Sequence, residues 1–272
     1  IENKIPIVTF QHGGMIGYEK SMPQYCTPMI FSDIYLSSGW KTFPEEYSSK
    51  LFKANLVPMP NPYFSELKLL GKKRNSKKKK NTILIPLSKD LVLDDKLGNN
   101  VDARKIVELR DFIIDTLNKI ENHFQKIIII HRSTEIKNEK LLNLIVKNKK
   151  KYKVFNNKSK KVFEYFNKVD LVLWDVTSTG FIESLSYGLP TIALNSKERW
   201  SKSSTKFMTL LEKNKVLVKN SDEAISVIKK IQSNPKIWIN MKKNIKPFLN
   251  NYALTDEKWD LRWRSYLLKQ FK

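Results

Sequence analysis

Between Val169 and Leu194 the chain reads VDLVLWDVTSTGFIESLSYGLPTIAL, an order that few folds accommodate. Leu171, Val172, Leu173 and Trp174 form an apolar run without alternation, which predicts a strand covered on both faces. Thr177, Ser178 and Thr179 follow where a helix would open. Hydroxyls and backbone N–H groups at such a point could hold an anion such as a phosphate. Phe181, Ile182 and Leu185 give the helix an apolar side. Gly188 is a natural left-handed stop, Pro190 bars continuation, and Thr191 to Leu194 starts another buried strand. The stretch predicts one strand–helix–strand unit of a parallel sheet.

The same alternation extends on both sides. Strands are expected over Thr82–Leu87, Lys126–Ile130, Lys153–Phe155 and Lys215–Val218. Helices are expected over Asp102–Asn122, Glu139–Lys147, Lys160–Phe166, Thr205–Lys213 and Asp222–Ile231, with another opening at Pro235. Strands alternating with helices in this way imply an α/β fold with a Rossmann-type doubly wound parallel sheet. Upstream, Ile5–Phe10, Phe31–Leu36 and Leu51–Val57 read as strands from the remnant of a second α/β domain. Pro58, Pro60 and Pro62 are then expected to break regular structure. The tail after Pro247 reads as helical, with Phe248, Tyr252, Trp259, Trp263, Tyr266 and Phe271 assigned to packing. The expected organisation is a partial N-terminal domain over 1–70, a basic linker over 71–80, a Rossmann-like domain over 81–246, and a C-terminal helix over 247–272.

Charge narrows the partners. Lys and Arg number 50 against 27 acidic residues, a formal +23 that suits nucleic acid, anionic lipid or an anionic substrate. The excess is mostly lysine spread along the chain, and its densest run, KKRNSKKKK from Lys72, carries no aromatic residue for base stacking. That run reads first as a solvated linker, second as a site for anionic membrane or an anionic acceptor, and last as a nucleic-acid site. Cys26 is the only cysteine, which excludes an intrachain disulfide and a cysteine-rich zinc site and fits a reducing cytoplasm. His12, His123 and His131 are too scattered to suggest a metal centre. No run approaches the ~18 apolar residues of a membrane span. The opening IENKIPIVTF has neither an initiator Met nor a signal-peptide pattern, and the expectation is the later part of a longer chain, cytoplasmic or peripheral at the inner face of a membrane.

Doubly wound sheets bind ligands beyond the carboxyl ends of their strands. Ser88 and Lys89 follow the first strand of the second domain, His131 and Arg132 follow the run of isoleucines, and Asp175 to Thr179 follow the central strand. Cation, hydroxyl turn and the carboxylate of Glu183 would meet the needs of a nucleotide: positive charge, N–H donors and an acceptor for ribose hydroxyls. The plainer alternatives are a surface role for Arg132, a turn-capping role for Asp175, and a helix-dipole role for Glu183. His12 stands in a loop with Gly13 and Gly14 directly after a strand. It could move a proton at an acceptor hydroxyl or stabilise a leaving phosphate, the alternative being a histidine bonded only to backbone.

The order Glu183, Gly188, Pro190 resembles the E-x-x-x-x-G-x-P signature near the donor site of GT-B glycosyltransferases. Together with QHGGMIGYEK, SDIYLSSGW and the tail SNPKIWINMKKNIKPFLNNYALTDEKW, it resembles a family of bacterial transferases of surface-carbohydrate biosynthesis, related to capsular Kdo-transferase and glycerophosphotransferase types. The resemblance implies a GT-B-like fold and a metal-independent glycosyltransferase without a cofactor. It implies a nucleotide-sugar donor held by the 81–246 domain around Thr177, Ser178, Thr179 and Glu183, facing His12, Gly13 and Gly14 of an acceptor-side domain over 1–70, to which the C-terminal helix over 247–272 would cross back. Ser88, His131 and Arg132 would assist, His12 would be the catalytic residue, and a glycan or lipid-linked molecule would be the acceptor. A CDP-polyol phosphotransferase, or a non-catalytic basic module on nucleic acid or anionic membrane, are the alternatives.

Overall fold

The computed structural model describes residues 6–20, 23–47, 51–74, 81–87, 103–131, 150–156, 161–195 and 200–270. Two parallel sheets organise them. The smaller contains β1 (Val8–Phe10), β2 (Ile34–Ser37) and β3 (Asn55–Pro58) in that order. The larger contains β4 (Thr82–Pro86), β5 (Lys126–His131), β6 (Tyr152–Asn156), β7 (Leu171–Trp174), β8 (Thr191–Leu194) and β9 (Leu217–Val218) in the order β6-β5-β4-β7-β8-β9. Connections run one way from β4 and the other way from β7, so the strand order reverses between them. This is the switch point at which such sheets open a crevice.

β4 and β7 are buried along their whole length, as their unbroken apolar runs require. Around the sheets lie α1 (Pro23–Ile30), α2 (Pro62–Lys72), α3 (Ala103–Ile120), α4 (Thr179–Tyr187), α5 (Thr205–Lys213), α6 (Ser221–Ser233), α7 (Lys236–Asn244), α8 (Lys246–Tyr252) and α9 (Trp259–Gln270). The expected helix over Glu139–Lys147 and the end of the basic run, 75–80, lie outside the described residues. Among the described residues no helix is long and apolar enough to cross a membrane.

Of the three prolines expected to break regular structure, Pro62 departs from that expectation. Pro58 closes β3, but Pro62 stands in the first turn of α2, where its fixed φ suits a helix and its missing N–H costs nothing. Asn61 caps this helix by accepting from the Phe64 N–H at 3.1 Å. α2 continues through Gly71 and Lys72, and Arg74 donates to the Val169 carbonyl at 2.5 Å. The basic run therefore begins in ordered structure that is fastened to the larger sheet.

One apolar core spans both lobes. The tail divides by environment. Phe248 and Tyr252 on α8 are buried in that core, whereas α9 buries no residue fully. Instead, the Trp263 indole donates to the Pro60 carbonyl at 2.7 Å and packs edge-on against Phe10, and the Trp259 indole donates to Glu66 at 2.9 Å. The chain after α8 thus returns to the smaller sheet and covers it. The Leu254 N–H to the Ser38 carbonyl, 2.9 Å, and the Asn61 N–H to the Leu254 carbonyl, 2.8 Å, fix the crossing.

Candidate functional site

α4 starts directly beyond β7, at the carboxyl edge of the larger sheet. Ser178 is its N-cap residue and Gly188 its C-cap, at φ 92° in the left-handed region, with its N–H turned back to the Ser184 and Leu185 carbonyls. The Thr179 and Gly180 N–H groups open the helix, where no intrahelical acceptor exists for them. The Ser178 hydroxyl oxygen is buried without a hydrogen-bond partner among the described residues. Asp175 and Thr177 are buried in the turn between strand and helix.

The loop after β1 reaches this helix from the other lobe. The Gly14 N–H donates to the Thr179 hydroxyl at 3.0 Å. A side chain at Gly14 would place its Cβ 2.9 Å from Ile182 Cγ1, so the backbone lies directly on α4. Gly13, at φ 88°, turns the loop, and its missing Cβ would stand 3.1 Å from the Thr179 hydroxyl oxygen. His12, one residue before, is exposed at the mouth of this junction. Thr179 is therefore engaged as a clasp between lobes, and the turn's remaining hydroxyl and N–H groups are the ones left for an anion.

Glu183 is half-buried one turn along α4 and accepts a hydrogen bond from Tyr63 on α2. Burial, and then the Glu183 charge, hold the Tyr63 phenol well above its usual range, so it stays protonated and donates. A carboxylate has about four acceptor positions, more than a single phenol can occupy. His131 ends β5, two strands from β7, and pairs in register with Asn156 on β6. Ser88, Lys89 and Arg132 lie outside the described residues.

Several residues that position this site carry no local signal. Buried Gln11 donates to the Gly13 carbonyl at 2.7 Å while its carbonyl oxygen accepts from the Ser38 N–H at 2.8 Å and the Trp40 indole at 2.7 Å. It fastens the glycine loop to β2. Tyr18, fully buried, donates to the Thr177 carbonyl at 3.2 Å. The QHGG stretch contained the first of these, but only its tertiary partners reveal that the glutamine is a strut.

Gly180 has a packing reason. A Cβ there would lie 2.1 Å from the Trp174 ring, whose indole N–H donates to Ser184 at 3.2 Å and so holds the ring in place. Gly180→Ala is expected to cost about 1–3 kcal/mol by overpacking. Trp174→Phe, by removing the atoms in conflict, should make the double variant less destabilised than the sum of the singles. Thermal melts of the three variants check this, and strict additivity would sink it.

Solved structures with a similar fold include Staphylococcus aureus MnaA with UDP, at 11% identity and TM-score 0.54, covering 94% of this chain and 67% of that one. Another is the pneumococcal O-GlcNAc transferase GtfA with UDP and GlcNAc, at 10% identity and TM-score 0.50, covering 97% and 52%. At such identities the likeness concerns the fold alone, a GT-B-like pairing of Rossmann-type lobes. The chain spans about half the length of others, such as the Thermobaculum terrenum O-GlcNAc transferase, 12% identical with TM-score 0.47, covering 90% of this chain and 46% of that one. A comparison with curated proteins finds no match. A family model described as LIC12162 family transferase matches residues 1–267, nearly the whole chain, which therefore belongs to that family of transferases.

Proposed function

We propose that the chain is the donor-binding part of a GT-B glycosyltransferase of cell-surface polysaccharide assembly, taking its sugar from a nucleotide-activated donor. The observation that carries this reading is the 3.0 Å hydrogen bond from the Gly14 N–H to the Thr179 hydroxyl. It brings a histidine-bearing glycine loop from one lobe onto a helix N-terminus at the switch point of the other, the kind of place where phosphates bind. The similar structures MnaA and GtfA were both solved with UDP, which agrees with a nucleotide as ligand.

In this reading the donor phosphates rest on the helix-opening N–H groups and the Ser178 hydroxyl. Glu183 accepts from ribose hydroxyls beside Tyr63. His12 moves the proton between acceptor hydroxyl and leaving phosphate. The test is calorimetric titration of the protein with UDP, CDP, CMP, GDP and dTDP. One nucleotide should bind best, and Glu183→Ala should weaken it at least about tenfold, the worth of a hydrogen bond to a charged group. His12→Ala should leave that affinity in place while transfer falls by about 10²–10⁴-fold. Equal nucleotide affinity with and without the Glu183 carboxylate would refute the assignment.

A further inference from the structure

At the opposite end of α4, α2, α7, α8 and the chain crossing after α8 enclose a cavity of about 520 Å³. α4 has nine residues, so this cavity lies roughly 12 Å along the helix from the Thr179 turn. Four lysines line it: Lys68 from α2 in one lobe, and Lys242, Lys243 and Lys246 from α7 and α8 in the other. Among the described residues lining it, none is acidic. Glu257, a carboxylate outside the lining that feels the Lys68 charge, is already paired with Lys72.

Lys242 is the group that calls for an explanation. Its ammonium is half-buried over Gly188, 2.7 Å from where a Cβ at that glycine would stand. Among the described residues nothing accepts a hydrogen bond from it or pairs with its charge. Burial lowers its affinity for a proton, and the like charge of Lys68 lowers it further. Lys68 itself donates to the Thr255 hydroxyl at 2.9 Å, a neutral partner. Holding two cations close together in a partly dry cavity is unfavourable unless an anion joins them. Beside them, Trp238 and the exposed Ile239 form an apolar shelf, with the indole fixed by its bond to the Gly188 carbonyl at 3.1 Å.

We infer that this cavity is a second anion site, which takes a phosphate group between Lys68 and Lys242 and lays the apolar part of its carrier along Trp238 and Ile239. The site is separate from the nucleotide site and does not depend on it. Because its lysines come from both lobes, its occupant ties α2 to α7. The phosphate could be free or the headgroup of an anionic lipid, and two measurements separate these sources.

The first is the thermal midpoint in inorganic phosphate against chloride of equal ionic strength. The second is flotation with phosphatidylglycerol vesicles against phosphatidylcholine vesicles. Both compare the wild type, Lys68→Ala/Lys242→Ala, and Lys229→Ala/Lys230→Ala, which removes the same charge from the exposed face of α6. Phosphate is expected to raise the midpoint of the wild type and the α6 variant by several degrees and to lose that effect in Lys68→Ala/Lys242→Ala. If phosphate has no such effect but flotation is lost only in Lys68→Ala/Lys242→Ala, the site stands and a lipid headgroup is its source. If the two double variants behave alike in both measurements, any binding belongs to the general basic surface or to the nucleotide site, and the inference is overturned. Removing two mutually repelling charges does not threaten folding, so the comparison remains interpretable.

Discussion

Replacing Gly71 with alanine is expected to lower stability by about 3 kcal/mol, read as a fall in the urea midpoint at unchanged slope. In most helices the same change is favourable by about 1 kcal/mol, because glycine has the greater backbone freedom to lose. In a solvated linker, the role the sequence suggested for residues from 71 onward, it would be neutral or mildly stabilising. The packing decides the other way. A Cβ at Gly71 would fall 1.8 Å from the Tyr187 carbonyl oxygen and 2.8 Å from its carbon, so the obstacle is backbone. Tyr187 has little room to withdraw. It is buried, its ring lies 5.4 Å from that of Phe166, and it leads directly into the left-handed cap at Gly188. α2 and α4 belong to different lobes, so this contact sets how closely the lobes approach. A midpoint that rises or stays level would mean that they do not meet at this distance.

The parts of the fold legible in the sequence are those in which one local signal outweighs the rest. The isoleucines of β5 and the run Thr82–Leu87 can only be strands covered on both faces, and Gly188 with Pro190 fixes the end of α4. α2 was hidden because the signal that usually ends a helix here begins one. Pro58, Pro60 and Pro62 read as a break, while Asn61 before Pro62 is a cap followed by a compatible first-turn residue. Individual pieces of the candidate site were also visible: two glycines after a strand, a hydroxyl turn, and a glutamate one turn later. Their meeting was not. No local pattern joins Gly14 to a hydroxyl 165 residues away, or Glu183 to a phenol on α2. The roles of Gln11 and Tyr18 are hidden in the sequence for the same reason. A buried polar side chain is recognised by what satisfies it, and those partners sit on other elements.

The turn before α4, to which the phosphates are assigned in the proposed function, shares one anchor with the lobe junction, and Tyr18 is where the two can be separated. Its ring is wholly buried, 5.3 Å from Tyr252 at 79° and 6.1 Å from Phe248 at 52°. Its carbonyl accepts from the Ser201 N–H at 2.8 Å and the Ser204 hydroxyl at 2.9 Å, so the backbone here joins the loop after β8. Tyr18→Ala removes the ring and leaves a cavity among α8 and the site loops, at an expected cost of about 3–5 kcal/mol. Tyr18→Phe keeps the ring and removes the hydroxyl that donates to the Thr177 carbonyl, at about 1 kcal/mol. Chemical unfolding of both variants should therefore show the alanine change several times the more damaging. Nucleotide titration of the phenylalanine variant then isolates the other role. With the fold intact and the Thr177 carbonyl released, the turn can relax, and affinity should fall although Tyr18 is not among the residues assigned to hold the nucleotide. Near-equal stability losses would instead assign the anchor to the hydroxyl, and the aromatic junction would carry little of the cohesion between lobes.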